Sequence, residues 1–235
     1  MIISIFNFKG GVGKSTTAVN LGAAMASTSR KVLVIDLDPQ RTLSYALGAE
    51  GQKPDVIDWL NGDADPGYTN YPGLHIITGS FDLLSYAVTE GLMGKALNRI
   101  KGFTSILLDC PPAINAVSVE AILNCDRLII PVISEPAGIK GLAEAIQLVR
   151  EESPELPIDV LRGRYRSRLV ITKEYDAMLT EGASELGFNL LQTVIPENIA
   201  VAESVSAQVP VLIYDKASAG SKAFKQLARE INGKA

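Results

Sequence analysis

A chain of 235 residues with 47% hydrophobic content is long enough to bury one large α/β core. A net charge of −4 and a pI of about 5.2 exclude a global basic signature for nucleic acid, so any such contact must come from a local patch. Two cysteines, Cys110 and Cys125, exclude a disulfide framework and a cysteine metal cluster, and no apolar run approaches the ~20 residues of a membrane span.

Met1-Ile2-Ile3-Ser4-Ile5 lacks the basic region of a signal peptide. A reducing, cytoplasmic location is therefore expected. In chain order, the first apolar run predicts a strand over Ile2–Asn7, then a helix over Ser15–Ser27 and a strand over Lys31–Asp36. Residues Gly48–Gly73 hold Pro54, Pro66 and Pro72 and predict a short helix inside a surface loop. A strand over Leu74–Thr78 and a long helix over Leu83–Ile100 follow. Next come a strand Ser105–Asp109, a helix Asn115–Asn124, a strand Arg127–Val132 and a helix Gly138–Glu151. The last third predicts strands Ile158–Leu161 and Leu190–Ile195 and helices Lys173–Leu186 and Ser221–Ile231. Strands rich in Val, Ile and Leu alternating with helices indicate a doubly wound α/β fold. Its sheet is expected to be mostly parallel and flanked by helices, in one domain over residues 1–235.

The stretch Lys9-Gly10-Gly11-Val12-Gly13-Lys14-Ser15-Thr16 lies between the first strand and the first helix. Strand, glycine-rich turn and helix is the context of a phosphate loop. Gly10, Gly11 and Gly13 let backbone N–H groups approach phosphates, and the helix N-terminus adds partial positive charge. Lys14 would reach the β- and γ-phosphates of a nucleotide, and the Ser15 hydroxyl would hold Mg²⁺. Lys9 comes too early to cradle the same phosphates. At the end of the next strand, Asp36-Leu37-Asp38-Pro39-Gln40 sets two carboxylates at the carboxyl edge of the sheet, where doubly wound folds bind ligands. Asp38 can hold and polarise a water there, or it can simply cap a Pro-initiated turn. Asp109 ends another buried strand before Pro111 and Pro112.

The octet with its two lysines resembles the deviant phosphate loop KGGxGK[ST] of the ParA/MinD ATPases, and Asp36–Gln40 matches that family's DxDPQ segment. The resemblance implies that Lys9 crosses a dimer interface to the partner's nucleotide, that Asp38 activates water beside the metal, and that Asp109 supports Mg²⁺ through water. Gln40 has only a supporting part. Ile195-Pro196-Glu197-Asn198 resembles the family's IPxN segment, which implies that Pro196 and Asn198 bind adenine. Asn198 also suits a helix cap. The resemblance runs from Ile2 to Ile231. It implies an ATPase that uses ATP and Mg²⁺, forms a homodimer on binding ATP and binds nucleoid DNA non-specifically. Such an ATPase positions a cargo through an adaptor of ParB type, which stimulates hydrolysis.

The chain departs from the family after the strand near residue 160, where the Tyr-Asp turn that such chains often carry is replaced by Arg162-Gly163-Arg164-Tyr165-Arg166-Ser167-Arg168. In an extended segment these four arginines would all face one side. They suit DNA phosphates, or equally a solvated loop pairing with Glu151, Glu152 and Glu155. Lys222, Lys225 and Arg229 make a second basic face at helical spacing. With the phosphate loop at residue 9, an operator-binding region ahead of it is not expected. Phe224, Leu227, Ala228 and Ile231 form an apolar stripe with too few bulky residues for a membrane anchor, so a MinD-like membrane role is the second reading. A metabolic or Fe–S-carrier ATPase is the third, without the paired cluster cysteines or C-terminal CxxC of those relatives.

Overall fold

The runs of Val, Ile and Leu become strands covered on both faces. Every residue of β2 (Val32–Asp36) and β5 (Ser105–Asp109) is buried. The computed structural model of the chain describes residues 1–62 and 65–233. The first half runs β1 (Ile2–Ile5), α1 (Lys14–Met25), β2, α2 (Thr42–Ala46), α3 (Val56–Asn61), β3 (Gly67–Tyr68) and β4 (Leu74–Ile77). It continues through α4 (Leu92–Arg99), β5, α5 (Ala116–Leu123) and β6 (Arg127–Ile133). Then follow α6 (Pro136–Glu152), β7 (Ile158–Tyr165), α7 (Val170–Leu186) and β8 (Asn189–Pro196), and α8 (Ile199–Ser206), α9 (Val211–Tyr214) and α10 (Ala219–Ile231) close the chain.

The strands form one sheet in the order β3-β4-β2-β5-β1-β6-β7-β8. All neighbours are parallel except β3, which runs antiparallel to β4. Each face carries its own apolar layer. One holds Leu21 of α1 and Phe224 and Leu227 of α10 against Ile3, Val34 and Leu107. The other holds Trp59, Leu97, Ile122, Ile146 and Leu179 against Leu33, Leu108 and Ile130. Helices on both faces of a mostly parallel sheet make the doubly wound architecture expected from the sequence. The stripe Phe224, Leu227, Ala228 and Ile231 is buried in the first layer.

Three expectations need correction. The long helix over Leu83–Ile100 is a 3-10 turn (Phe81–Leu84) and, after a break, α4. Gly91 has a φ of +73°, which a glycine adopts freely and which ends helical continuity. The Glu120 carboxylate then accepts from the Gly91 and Met93 N–H groups at 2.8 and 3.1 Å, so a residue of α5 starts α4. Second, the short helix expected within Gly48–Gly73 is present, but it is not peripheral. A reciprocal capping box between Asp55 and Asp58 starts α3, which drives Trp59 to complete burial. Third, the strand at Ile158 runs on to Tyr165, into the arginine-rich segment.

β8 is the edge strand beside β7. In the bulge of β8 opposite β7, Glu230 of α10 accepts from Gln192 N–H at 2.7 Å and Thr193 N–H at 2.9 Å.

Because Trp59 fills the core from the segment expected to be peripheral, Trp59→Ala should cost ~3–5 kcal/mol of stability. Urea unfolding should show a lowered midpoint with an unchanged slope. A midpoint near wild type would mean that α3 packs only loosely.

Candidate nucleotide and metal site

Gly10, Gly11, Val12 and Gly13 form the turn after β1, and Lys14, Ser15 and Thr16 open α1. Gly11 and Gly13 have φ of +74° and +95°, which directs the chain round the turn at no side-chain cost. A Cβ placed on Gly10, Gly11 or Gly13 would meet nothing within 4 Å, so the space in front of the loop is open. The first N–H groups of α1 have no intrahelical acceptor and suit an anion. The buried Lys14 ammonium donates to the Lys9 carbonyl at 3.2 Å. Burial lowers its pKa, and the charges of Asp109 and Asp38 draw it partly back. Lys9 itself turns the other way. Its ammonium pairs with Glu135, just before α6, and its backbone N–H donates to Asn7 Oδ1 at 2.9 Å.

Parallel pairing of β2 with β5 sets Asp36 directly beside Asp109. Asp36 accepts from Ser44 N–H at 2.9 Å and Ser44 Oγ at 2.6 Å, and Ser44 Oγ accepts from Gly79 N–H at 2.9 Å. Asp36 therefore brackets the start of α2 and the chain after β4, a part the sequence reading did not give it. The spacing Asp-x-Asp with a serine eight residues later was its only signal. Asp38 is buried, and its Oδ1 accepts from Gln40 N–H at 2.9 Å, so the turn-capping contact exists. Asp109 is fully buried, and neither carboxylate oxygen has a well-aligned hydrogen bond, the Ser15 hydroxyl being the donor nearby. Burial and the neighbouring Asp36 push its carboxyl well above the usual range, while the Ser15 hydroxyl and Lys14 oppose the shift. Burial raises Asp36 to about 6 against the Ser44 hydrogen bonds.

A buried carboxylate beside Ser15 that lacks a well-aligned donor fits a divalent cation, which would stabilise the charged form. Among the described residues no group of three or more His, Cys, Asp or Glu could hold a metal by itself. Mg²⁺ suits such a sparse site, since it keeps waters and takes phosphate oxygens. Ser15 and Lys14 neighbour the Asp109 carboxylate, and Asp38 is near enough to both Asp109 and Lys14 to act on them by charge.

Beside the loop lies a cavity of about 310 Å³, walled by Gly11, Thr16, Arg164, Pro196, Asn198 and Phe224 among others. Asn198 stands immediately before α8, at its N-cap, but makes no side-chain cap, and its buried Oδ1 has no partner. An unpaired acceptor at an apolar slot fits an amino group on a flat base.

The arginine run does not present one face. A register shift in β7 and a φ of +46° at Arg164 break the alternation. Arg162 points inward, donating to the Leu191 carbonyl at 2.7 Å and lying 3.3 Å from Asp176. Arg164 and Arg166 both pair with Glu197, not with Glu151, Glu152 or Glu155. Arg168 is exposed, as are Lys222, Lys225 and Arg229 on the outer face of α10.

Asp36 titrates near 6 when folded and near 3.8 otherwise, so the folded state binds its proton more tightly. Stability from this group is full below the unfolded value and is lost as pH rises through the folded one. The metal-free protein should lose up to ~3 kcal/mol between pH 4 and pH 7 from this group. Urea melts of wild type and Asp36→Asn across that range should differ in slope. Parallel curves would refute the assignment.

A family profile described as "AAA domain" matches residues 1–158. The chromosome partitioning protein ParA of Caulobacter vibrioides is 32% identical, over 98% of this chain and 93% of its own length. The sporulation initiation inhibitor protein Soj of Bacillus subtilis is 31% identical, over 98% and 97%. The septum site-determining protein MinD of Pyrococcus horikoshii, solved with Mg-ADP, superposes with a TM-score of 0.82 at 27% identity, covering 98% of this chain and 95% of that one. Likeness in sequence and fold over nearly the whole chain means that the chain belongs to the ParA/MinD family of P-loop ATPases.

Proposed function

We propose that ATP closes two copies of this partition or positioning ATPase face to face over two nucleotides with Mg²⁺. The observation that carries the reading is the divergence of the two lysines. Lys14 is buried among the carboxylates of its own site, whereas Lys9 leaves that site for a half-exposed ion pair with Glu135. A surface pair of that kind contributes only ~0–1 kcal/mol, so Lys9 is easily redirected. Bringing two nucleotides together gathers negative charge, and a cation from the opposite protomer offsets it. In this reading Lys14 and the loop N–H groups bind phosphate, and Ser15 and Asp109 hold the metal. Asp38 orients water, and Pro196 and Asn198 hold adenine.

The dimer binds DNA without sequence preference and associates with the nucleoid. Lys222, Lys225 and Arg229 are the better-supported contacts, with Arg168, because Arg162, Arg164 and Arg166 are tied to Asp176 and Glu197. An adaptor of ParB type carries the cargo and triggers hydrolysis.

Asp38→Ala should bind ATP and form a long-lived dimer with turnover lower by ~10²-fold or more. Adding Lys9→Ala should abolish that dimer while ATP binding survives. Light scattering with and without ATP reads both, and an intact dimer in the double variant would remove the cross-protomer role. DNA affinity of the trapped dimer should fall linearly on a log–log salt plot, and each of Lys222→Ala, Lys225→Ala and Arg229→Ala should flatten the slope by ~0.9. Unchanged slopes would take the DNA surface off α10.

A further inference from the structure

Glu197 lies between Pro196 and Asn198, in the segment that walls the base pocket, and no role is assigned to it by its chemistry in the phosphate site. Two arginines hold it. Arg166 donates Nη2 to Glu197 Oε1 at 2.8 Å and Nε to Oε2, a two-pronged grip on one carboxylate. Arg164 donates Nη2 to Glu197 Oε1 at 3.2 Å. Together they draw the Glu197 carboxyl down to about 2, Arg166 contributing most. The backbone adds a further tie, Glu197 N–H to the Tyr165 carbonyl at 3.1 Å.

A lone exposed ion pair would carry little. This one differs in three ways. The geometry is two-pronged and shared by two cations, which are the conditions under which surface pairs become significant. Arg164 adopts a left-handed backbone with a φ of +46° although it is not glycine, an unfavourable choice that the surrounding structure must enforce. Finally, the cluster sits beside two cavities. Arg164 and Glu197 wall the base pocket of about 310 Å³ and also a second cavity of about 200 Å³, whose other walls include Ser134, Glu135 and Thr172. The clasp thus borders both spaces.

We infer that the Arg164–Glu197–Arg166 clasp is the positioning element that holds the Pro196–Asn198 wall against a bound base and so sets how fast the nucleotide leaves. The inference rests on the reading of this cavity as the base pocket. Glu197 acts through its neighbours. Fixing its carboxylate fixes the backbone on either side of it, and thereby the distance from Pro196 and the Asn198 side chain to the opposite wall at Gly11 and Thr16. Releasing it lets the wall retreat. The phosphate loop, on the far side of the pocket, keeps its grip throughout.

The test uses a ribose-labelled fluorescent ATP analogue with Mg²⁺, chased by unlabelled ATP in a stopped-flow instrument. Glu197→Gln and Arg166→Gln should each raise the dissociation rate about five- to tenfold, as expected for loss of a networked charge pair. The double variant should be no faster than either single one, because the two changes break the same contact. Inorganic triphosphate, which has no base, should compete with unchanged affinity in all three variants. Wild-type dissociation rates in the single variants, additive effects in the double variant, or equal losses for ATP and triphosphate would each overturn the clasp. A wild-type protein that binds triphosphate as tightly as ATP would instead overturn the base-pocket reading itself, so the two failures are distinguishable.

Discussion

The structure is organised around an imbalance of charge at the carboxyl ends of β1, β2 and β5. Asp36, Asp38 and Asp109 are all buried there, and Lys14 is the ammonium placed among them. Burying carboxylates without partners is costly, and the raised pKa values of Asp36 and Asp109 are the signature of that cost. Asp36 escapes part of it through Ser44. Asp109 does not, since its oxygens lack a well-aligned donor. A fold that tolerates this arrangement is arranged for a missing positive charge, and the neighbouring glycine loop is arranged for negative oxygens. The two needs are met together by a metal-bound polyphosphate, which explains why the sheet, the loop and α1 share one edge.

Much of this was legible in the amino-acid sequence. Strands buried on both faces need unbroken apolar runs, so β1, β2, β5 and β6 stood out against their surroundings. The loop octet was legible because its glycines and lysines answer to backbone geometry and phosphate charge, which are local demands. What was not legible depended on distant partners. Gly91 divides an otherwise periodic segment only because Glu120, on another helix, takes the freed N–H groups. Trp59 sits among prolines and glycines, and only the capping box of α3 turns it into the core. The arginine run read as one basic face because strict alternation was assumed through a stretch where the strand is bulged. Asp176 and Glu197, which neutralise it, are 14 and 33 residues from Arg162 and Arg164.

A recurring device is the single polar side chain that fastens one element to another by its backbone. Asn20 of α1 accepts from Val211 N–H at 2.8 Å and so ties the helix behind the phosphate loop to the start of α9. Its amide also donates to the Thr16 carbonyl in the first turn. Asp36 and Glu120 do the same elsewhere. Each uses the strong demand of buried N–H groups for acceptors to hold a segment that apolar packing alone would leave free to slide.

The Glu230 carboxylate illustrates what such fastening protects. By accepting from the Gln192 and Thr193 N–H groups it satisfies two donors in the bulge of β8 opposite β7. The last helix thus locks an irregular strand as well as packing on the sheet. A shortened chain ending before Glu230 would keep its loop and carboxylates, yet the bulge would lose its acceptor. Its first fault would be a loosened β8, and with it the Pro196–Asn198 segment at its end, before the phosphate loop itself changed.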